Sequence, residues 1–283
     1  MATLGPQLIL VGTPIGNLGD LSPRAIEVLG SVAWVACEDT RRTRALFSAA
    51  NIPAGGRLRA LHEHNEVDLI PVVLETLSSG ESVGLVSDAG MPAISDPGQR
   101  VVAAVAAAGF AVSVVPGPSS VLGALVVSGF STERFVVEGF LPRKGTERKE
   151  RLRNIGEETR TIVILEAPNR LHHTLLELAQ SDPTRRVVVV RELTKLYEEI
   201  WRGTLAEAAQ AFGARESIKG EITIVLDGAT PVSLVVDEET IAHAASAALI
   251  QHRSTKMAAD VVAAELGVSR RVAYEAVLRA QEG

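Results

Sequence analysis

Leu85-Val86-Ser87-Asp88-Ala89-Gly90-Met91-Pro92-Ala93-Ile94-Ser95-Asp96-Pro97-Gly98 is the stretch whose reading decides the fold. The apolar run 82–86 leading into it has strand character, and the Ala/Val-rich run 99–108 after it has helical character. A strand enters, an irregular loop turns and a helix leaves. In parallel α/β sheets ligands sit at such carboxyl ends of strands. Two glycines and two prolines shape this backbone, and glycine also lets a ligand approach the main chain. Asp88 ends the strand, where a carboxylate meets a ligand amine or hydroxyl. Asp96 before Pro97 has the pattern of an N-cap and N1 pair opening the next helix.

The same pattern recurs on both sides. Upstream, the strand 8–11 runs into Gly12-Thr13-Pro14-Ile15-Gly16-Asn17-Leu18-Gly19-Asp20, and Ser22-Pro23 opens a helix to about residue 29. This loop lacks Gly-Lys-Ser/Thr and the G-x-G-x-x-G spacing, so it is neither a P-loop nor a dinucleotide fingerprint. It reads as a shaped wall for a ligand. The strand 33–37 delivers Glu38-Asp39-Thr40-Arg41-Arg42-Thr43-Arg44. The helix dipole explains acids in that first turn but not arginines, and arginine suits bidentate phosphate contact. His62-Glu63-His64-Asn65-Glu66 reads as a polar loop rim, since no further His or Cys at ligand spacing accompanies it. A helix follows over 67–77. Downstream, the strand 111–115 ends in Pro116-Gly117-Pro118-Ser119-Ser120 before a small-residue helix over 121–127.

Composition bounds the rest. At 283 residues the chain suits two domains with an appendix, and 46% apolar content fills sizeable cores. The single cysteine, Cys37, excludes a disulfide framework and a Cys-based zinc site and reads as buried packing. The start of the chain has no leader-like segment, and no apolar run reaches about 18 residues; a cytoplasmic, reducing setting is the expectation. The net charge of −6 argues against bulk electrostatic binding of nucleic acid but leaves room for local basic patches.

The most basic segment follows the strand 135–141: Pro142-Arg143-Lys144-Gly145, then a helix carrying Arg148, Lys149, Arg151 and Arg153. It reads either as a solvated face paired with Glu147 and Glu150 or as a phosphate-contacting flap. Further strands are expected over 161–165, 186–190 and 221–226, with 197–201 pairing beside them and helices over 172–179 and 205–212. Gly228-Ala229-Thr230-Pro231 reads as a linker. Helices over 238–250, 256–266 and 270–280 follow, the last two joined by Gly267-Val268-Ser269 in a helix-turn-helix pattern. Arg253, Lys256, Arg270, Arg271 and Arg279 give this tail only a modest basic patch, and a helical cap or dimerisation tail is the competing reading. The expected architecture is α/β: a parallel-sheet domain over 1–120, a second α/β domain with a mixed sheet over 121–227, and a small helical domain over 236–283.

Taken together, Gly12 to Leu18, Glu38-Asp39-Thr40-Arg41, Ser87-Asp88-Ala89-Gly90 through Asp96-Pro97-Gly98, Pro116-Gly117-Pro118, Glu138-Gly139-Phe140-Leu141-Pro142 and Arg191-Glu192-Leu193-Thr194-Lys195 resemble the small-subunit rRNA cytidine 2′-O-methyltransferases of the tetrapyrrole-methylase superfamily. One departure is Glu166-Ala167-Pro168-Asn169-Arg170, where the family pattern has Glu-Ser-Pro-His-Arg. The resemblance implies two α/β domains with S-adenosylmethionine in the cleft between them, a homodimer, 16S rRNA or the small ribosomal subunit as partner, and no metal. Carried over, cofactor contacts fall on Thr13, Pro14, Ile15, Asp88, Ala89, Gly90, Met91, Ser119, Ser120, Leu165, Glu166 and Glu221. Methyl transfer needs alignment, exclusion of water and removal of one proton. Glu38, Asp39, Glu166, Lys195 and Glu221 are candidates for the base, and the sequence does not choose among them. Arg41, Arg42, Arg143, Lys144 and Arg170 are candidates for RNA phosphates. The runners-up are a methylase of a small tetrapyrrole and a non-catalytic ribosome-assembly binding module.

Overall fold

The computed structural model describes residues 5–230, 237–252 and 254–282. Pro231 of the expected linker, Arg253 of the expected basic patch and the ends, 236 and 283, of the expected helical domain lie outside the described residues. The chain divides into two compact units at Ala229/Thr230.

The first unit opens with β1 (Gln7–Val11), α1 (Pro23–Ser31), β2 (Trp34–Cys37), α2 (Thr40–Ala49), β3 (Leu58–Ala60), α3 (Glu66–Ser78), β4 (Val83–Val86), α4 (Gln99–Ala107) and β5 (Ala111–Val115). These strands form one parallel sheet in the order β3-β2-β4-β1-β5. β2 and β4 are buried throughout, as strands covered by helices on both faces must be. One face packs Leu21, Leu29 and Phe47 with the inner side chains of β2, Cys37 among them, and the other packs Leu77, Val101 and Val105 against Leu8 and Leu85. Because every strand runs the same way, the loops after β1, β2, β4 and β5 emerge at one edge.

Three of those loops, after β1, β4 and β5, are joined through main chain. Val11 is in register with Val115, so Gly12 lies against Gly117, and a Cβ on Gly12 would come within 2.7 Å of the Gly117 backbone. Thr13 and Gly90 exchange two amide-to-carbonyl bonds of 2.9 and 3.1 Å. Only glycine permits the Gly12 approach, and Gly90 at φ 82° is in the left-handed region.

The expected N-cap Asp96 does not open α4. The helix starts at Gln99 behind Gly98, whose φ is 129°. Glu66, at the first position of α3, caps it instead: its Oε1 accepts from the amides of Gly98 (3.1 Å), Arg100 (2.6 Å) and Val101 (3.3 Å). A carboxylate there satisfies orphan amides and meets the positive end of the helix dipole.

The second sheet carries α5 (Ser120–Ser128), β6 (Phe135–Phe140), α6 (Thr146–Glu157), β7 (Thr161–Glu166), α7 (Leu171–Ser181), β8 (Arg186–Arg191), β9 (Glu199–Thr204), α8 (Leu205–Gly213) and β10 (Ile222–Leu226). Its order is β6-β7-β10-β8-β9; β6 and β7 are parallel and the remaining pairs antiparallel. The paired segment expected at 197–201 sits two residues later, and exposed Tyr197 belongs to the preceding turn. α5 covers one face, with Val121, Ala124 and Leu125 on Val163, Val188 and Val225. α6, α7 and α8 cover the other through Ile155, Leu175 and Phe212. α6 keeps Glu147, Lys149, Glu150 and Arg153 exposed, but two of its arginines leave that face. Arg148 is only 4% exposed and pairs with Glu177 of α7, and Arg151 reaches Glu138 at 2.9 Å rather than Glu147.

The second unit holds α9 (Glu238–Gln251), α10 (Thr255–Leu266) and α11 (Arg270–Glu282) around a small-residue core of Ala245, Ala258, Ala259, Val262, Ala273 and Val277. Gly267 at φ 64° ends α10, and the Ser269 hydroxyl accepts from the Val272 amide, capping α11 as its sequence predicts. Arg270 pairs with Asp260 at 2.5 Å.

Glu66→Ala strips three helix-terminal amides of their acceptor. A loss of about 2 kcal/mol is expected, read as a lower urea midpoint at unchanged m-value.

Candidate active site

A cleft of about 400 Å³ opens where the loop edge of the first sheet meets β7 and β10 of the second. That volume is in the range of small-molecule sites. From the first sheet come Ile15, Glu38, Arg42, Asp88, Ala89, Ile94, Ser95 and Asp96; from the rest of the unit come Ser120, Phe140, Leu165 to Pro168 and Gly220 to Thr223. Of the expected cofactor residues, the structure thus gathers Ile15, Asp88, Ala89, Ser120, Leu165, Glu166 and Glu221 in the lining. Thr13, Pro14, Gly90, Met91 and Ser119 are not in it. Thr13 and Gly90 form the ladder beneath, Met91 Sδ packs beside Gly12, and the Ser119 hydroxyl caps α5 by accepting from the Leu122 amide at 3.3 Å.

Each loop is tied to the next. Asp88 Oδ1 accepts from the Asp39 amide at 3.0 Å and Oδ2 lies 3.2 Å from Arg42 Nη1, which fixes the end of β4 to the start of α2. Asp39 caps α2 and is bound by Arg41 at 2.8 Å, and this guanidinium holds the carboxyl down at about 2. The loop from Gly90 to Gly98 carries two non-glycine residues in the left-handed region, Ala93 (φ 65°) and Ser95 (φ 61°). Such residues cost about 1–3 kcal/mol each and persist where surrounding structure holds them.

Asp96, read from sequence as a cap, instead lines the cleft. Burial, then the Glu38 charge, push its carboxyl up to about 6, with Asp88 adding to the rise and the Ser87 hydroxyl opposing it. Burial and Asp88 also raise Glu38. Lys195 lies over Gly16, where a Cβ would strike its side chain, and its Nζ sits 2.8 Å from Glu192 and 3.3 Å from Glu221. Burial favours the neutral amine, yet the Glu192 and Glu221 carboxylates outweigh it and raise the pKa. Lys195 is therefore an ammonium at neutral pH and a poor proton acceptor.

Glu166 is fully buried at the side chain, with both oxygens engaged. Oε1 accepts from the Ala167 amide at 2.8 Å and lies 3.1 Å from Arg170 Nε; Oε2 accepts from the Thr174 hydroxyl at 2.6 Å. Of the expected phosphate contacts, Arg41, Arg42, Arg143 and Lys144 are exposed, whereas Arg170 turns inward. Among the described residues no group of three or more His, Cys, Asp or Glu is placed to hold a metal ion, and no helix is long and apolar enough to cross a membrane.

Two stacked α/β layers of this topology, with a cleft between a parallel and a mixed sheet, define a class. Residues 7–209 match the sequence model of the tetrapyrrole (corrin/porphyrin) methylases, and the chain belongs to that family. Within it, the chain is 44% identical over 276 residues to the ribosomal RNA small subunit methyltransferase I of Xylella fastidiosa, covering 97% of this chain and 99% of that one. It is 41% identical to the protein of the same name from Mycobacterium tuberculosis, covering 97% and 95%. A third relative of that name, from Thermotoga maritima, is 43% identical over 222 residues, covering 78% of this chain and 98% of its own. Among solved structures, uroporphyrin-III C-methyltransferase from Thermus thermophilus complexed with S-adenyl homocysteine superimposes with a TM-score of 0.56 at 21% identity, covering 78% and 97%. A cobalt precorrin-4 methyltransferase gives 0.59 at 18%, covering 78% and 94%. At those identities the structures establish the fold alone.

Asp96 provides a pH test of the cleft. Its folded-state pKa of about 6 exceeds the ordinary 3.8, so the folded chain binds that proton more tightly than the unfolded chain does. The protonated form favours folding below about pH 4, and that advantage is lost as pH rises through about 6. Asp96→Asn is expected to stabilise the protein by about 1–2 kcal/mol at pH 7.5, after allowance for partial solvent screening. The gain should vanish by pH 4 in thermal melts.

Proposed function

We propose that this chain transfers a methyl group from S-adenosylmethionine to the 2′-hydroxyl of a cytidine ribose in the decoding centre of 16S rRNA, as a cytoplasmic homodimer acting on the small ribosomal subunit. The observation that carries the reading is the cleft lined from both sheets, whose wall at Phe140 continues through Leu141 and Pro142 into exposed Arg143 and Lys144. The near-full-length identity to relatives named for small-subunit rRNA methylation supports RNA over a macrocycle as acceptor. The exposed apolar side chains of edge strand β5 and helix α5, Val112, Val114, Leu122 and Val126, support a partner copy.

The residues present fit the cofactor. Ile15, Ile94 and Leu165 offer apolar wall for a base, main chain at 88–89 and 220–223 offers hydrogen-bonding edges, and Glu38, Asp88 and Asp96 suit a cationic, amine-bearing ligand. When bound, S-adenosylmethionine supplies an already activated methyl group on a sulfonium. The chain's task is then to hold the acceptor oxygen in line, exclude water and accept one proton. Asp39 is held ionised by Arg41, Lys195 is protonated and Glu166 has no free oxygen. Glu38, from the original candidates, and Asp96, added by the structure, are the cleft carboxylates with raised proton affinity and take that role. Activity should therefore climb with pH through about 6 and level above it.

The deciding experiment offers labelled S-adenosylmethionine with purified small subunits, naked 16S rRNA and a precorrin in parallel, and maps any product. Label on a cytidine ribose is expected. Label on the macrocycle alone, or no transfer to any acceptor, would overturn the reading. Arg143→Ala with Lys144→Ala should lower RNA affinity and reduce its salt slope by about 0.7 per lost phosphate contact on a single strand.

A further inference from the structure

Glu166 and Arg170 sit where a base and a phosphate contact are expected, yet neither side chain is free. They belong to a buried polar chain that ends on the loop after β6. Arg170 donates from Nη2 to the Leu141 carbonyl at 2.7 Å. Arg148 donates from Nη1 to the next carbonyl, Pro142, at 2.9 Å. Two guanidiniums therefore grip two consecutive carbonyls, immediately before exposed Arg143 and Lys144. Both lead back to one carboxylate in the cleft wall. Arg170 reaches Glu166 directly at 3.1 Å, and Arg148 donates from Nη2 to Thr174 Oγ1 at 2.9 Å, whose hydroxyl donates to Glu166 Oε2 at 2.6 Å. Glu177 balances the second positive charge on Arg148. Thr174 and the Glu166 carboxylate have no exposed side-chain area, and Arg148 almost none.

The chemistry of this chain is specific to its residue types. A buried carboxylate persists when its oxygens are hydrogen-bonded and its charge is matched. Only the planar fork of arginine bonds a carbonyl and a carboxylate from one side chain in fixed geometry. The bulge at Val137/Gly139, with Gly139 at φ 64°, bends β6 just before the clamped carbonyls. Loop carbonyls ordinarily face water, so clamping two in a row sets the loop's direction.

We infer that Glu166, Arg170, Thr174 and Arg148 form a positioning relay that registers the RNA-facing turn Arg143–Lys144 against the cofactor cleft, and that Arg170 acts through this turn without touching RNA. The inference rests on the proposed rRNA substrate. It replaces the expectation of Arg170 as a phosphate contact and of Glu166 as a base.

Arg170→Lys and Arg170→Ala separate the alternatives, with wild type and the Arg143→Ala/Lys144→Ala variant measured alongside on small subunits. Lysine keeps the charge and the ion pair, so the variant folds, but it cannot span Leu141 and Glu166 together. A positioning role predicts that both Arg170 variants raise KM for RNA by about tenfold, near the cost of one lost oriented bond, with the salt slope of RNA binding and the cofactor dissociation constant unchanged. A KM within about twofold of wild type for Arg170→Lys, since lysine also binds phosphate, would overturn the inference. So would a salt slope reduced by about 0.7 in Arg170→Ala, or a parallel loss of cofactor affinity in both. If wild type labels no RNA, the failure belongs to the proposed substrate; wild-type activity with any overturning result assigns it to the relay.

Discussion

The backbone contact between Gly12 and Gly117 is the constraint on which the site depends. The register of β1 with β5 places Val11 opposite Val115, so the next turns leave the sheet side by side. With a Cβ on either glycine the turns would separate by the width of a methyl group. The Thr13–Gly90 ladder then ties the same edge to the loop after β4, and Asp88 ties that loop to α2. Three strand ends are thus locked to one another through main chain, and a fourth through the Asp88 side chain, before any ligand is considered. A site built this way costs little reorganisation when it binds.

That constraint also explains what the sequence made legible. Short continuous apolar runs, each followed by a loop and then a helix, define a parallel sheet, and a parallel sheet leaves its loops at one edge. Four of the first five strands, Ser22 and Ser269 as caps and Cys37 in the core follow from local pattern alone, whereas the three-residue β3 is too short to show one. The failures share a physical cause. Asp96 has the local signature of a cap, but Glu66, some thirty residues earlier in sequence, reaches the helix amides first. Arg148 lies in a run of charges that looks solvated, and its partner Glu177 is on another helix. Glu166 and Arg170 are spaced like exposed motif residues and are consumed by each other and by Leu141. Long-range pairing of polar groups has no period and leaves no trace in a single sequence.

Charge is apportioned in the same way. The chain is net acidic, and three of its acids line the cleft, where the Asp88 charge raises the proton affinity of Glu38, and the Glu38 and Asp88 charges raise that of Asp96. Exposed arginine and lysine sit on the turn beyond Phe140 and at the start of α2. An anionic polymer is thus disfavoured at the acidic cleft and favoured at these two borders. Specificity of approach then comes from geometry, since electrostatic attraction confined to a few side chains fixes where a chain can dock more than how tightly it binds.

The helical unit after Ala229 fits this division of labour. Its acids outnumber its bases over 237–282, and Arg270, the base best placed at the turn, is held by Asp260. A recognition helix contacts base edges with its N-terminal residues, and both arginines that open α11 face a carboxylate, Arg270 at 2.5 Å from Asp260 and Arg271 at 4.0 Å from Glu275. The Thermotoga maritima relative is matched over 98% of its length by 222 residues of this chain, fewer than the first unit contains. A fold of that length has room for the cleft, its loops and the clamped turn without a helical appendix. In the second unit three short helices rich in alanine close on one another at a glycine turn.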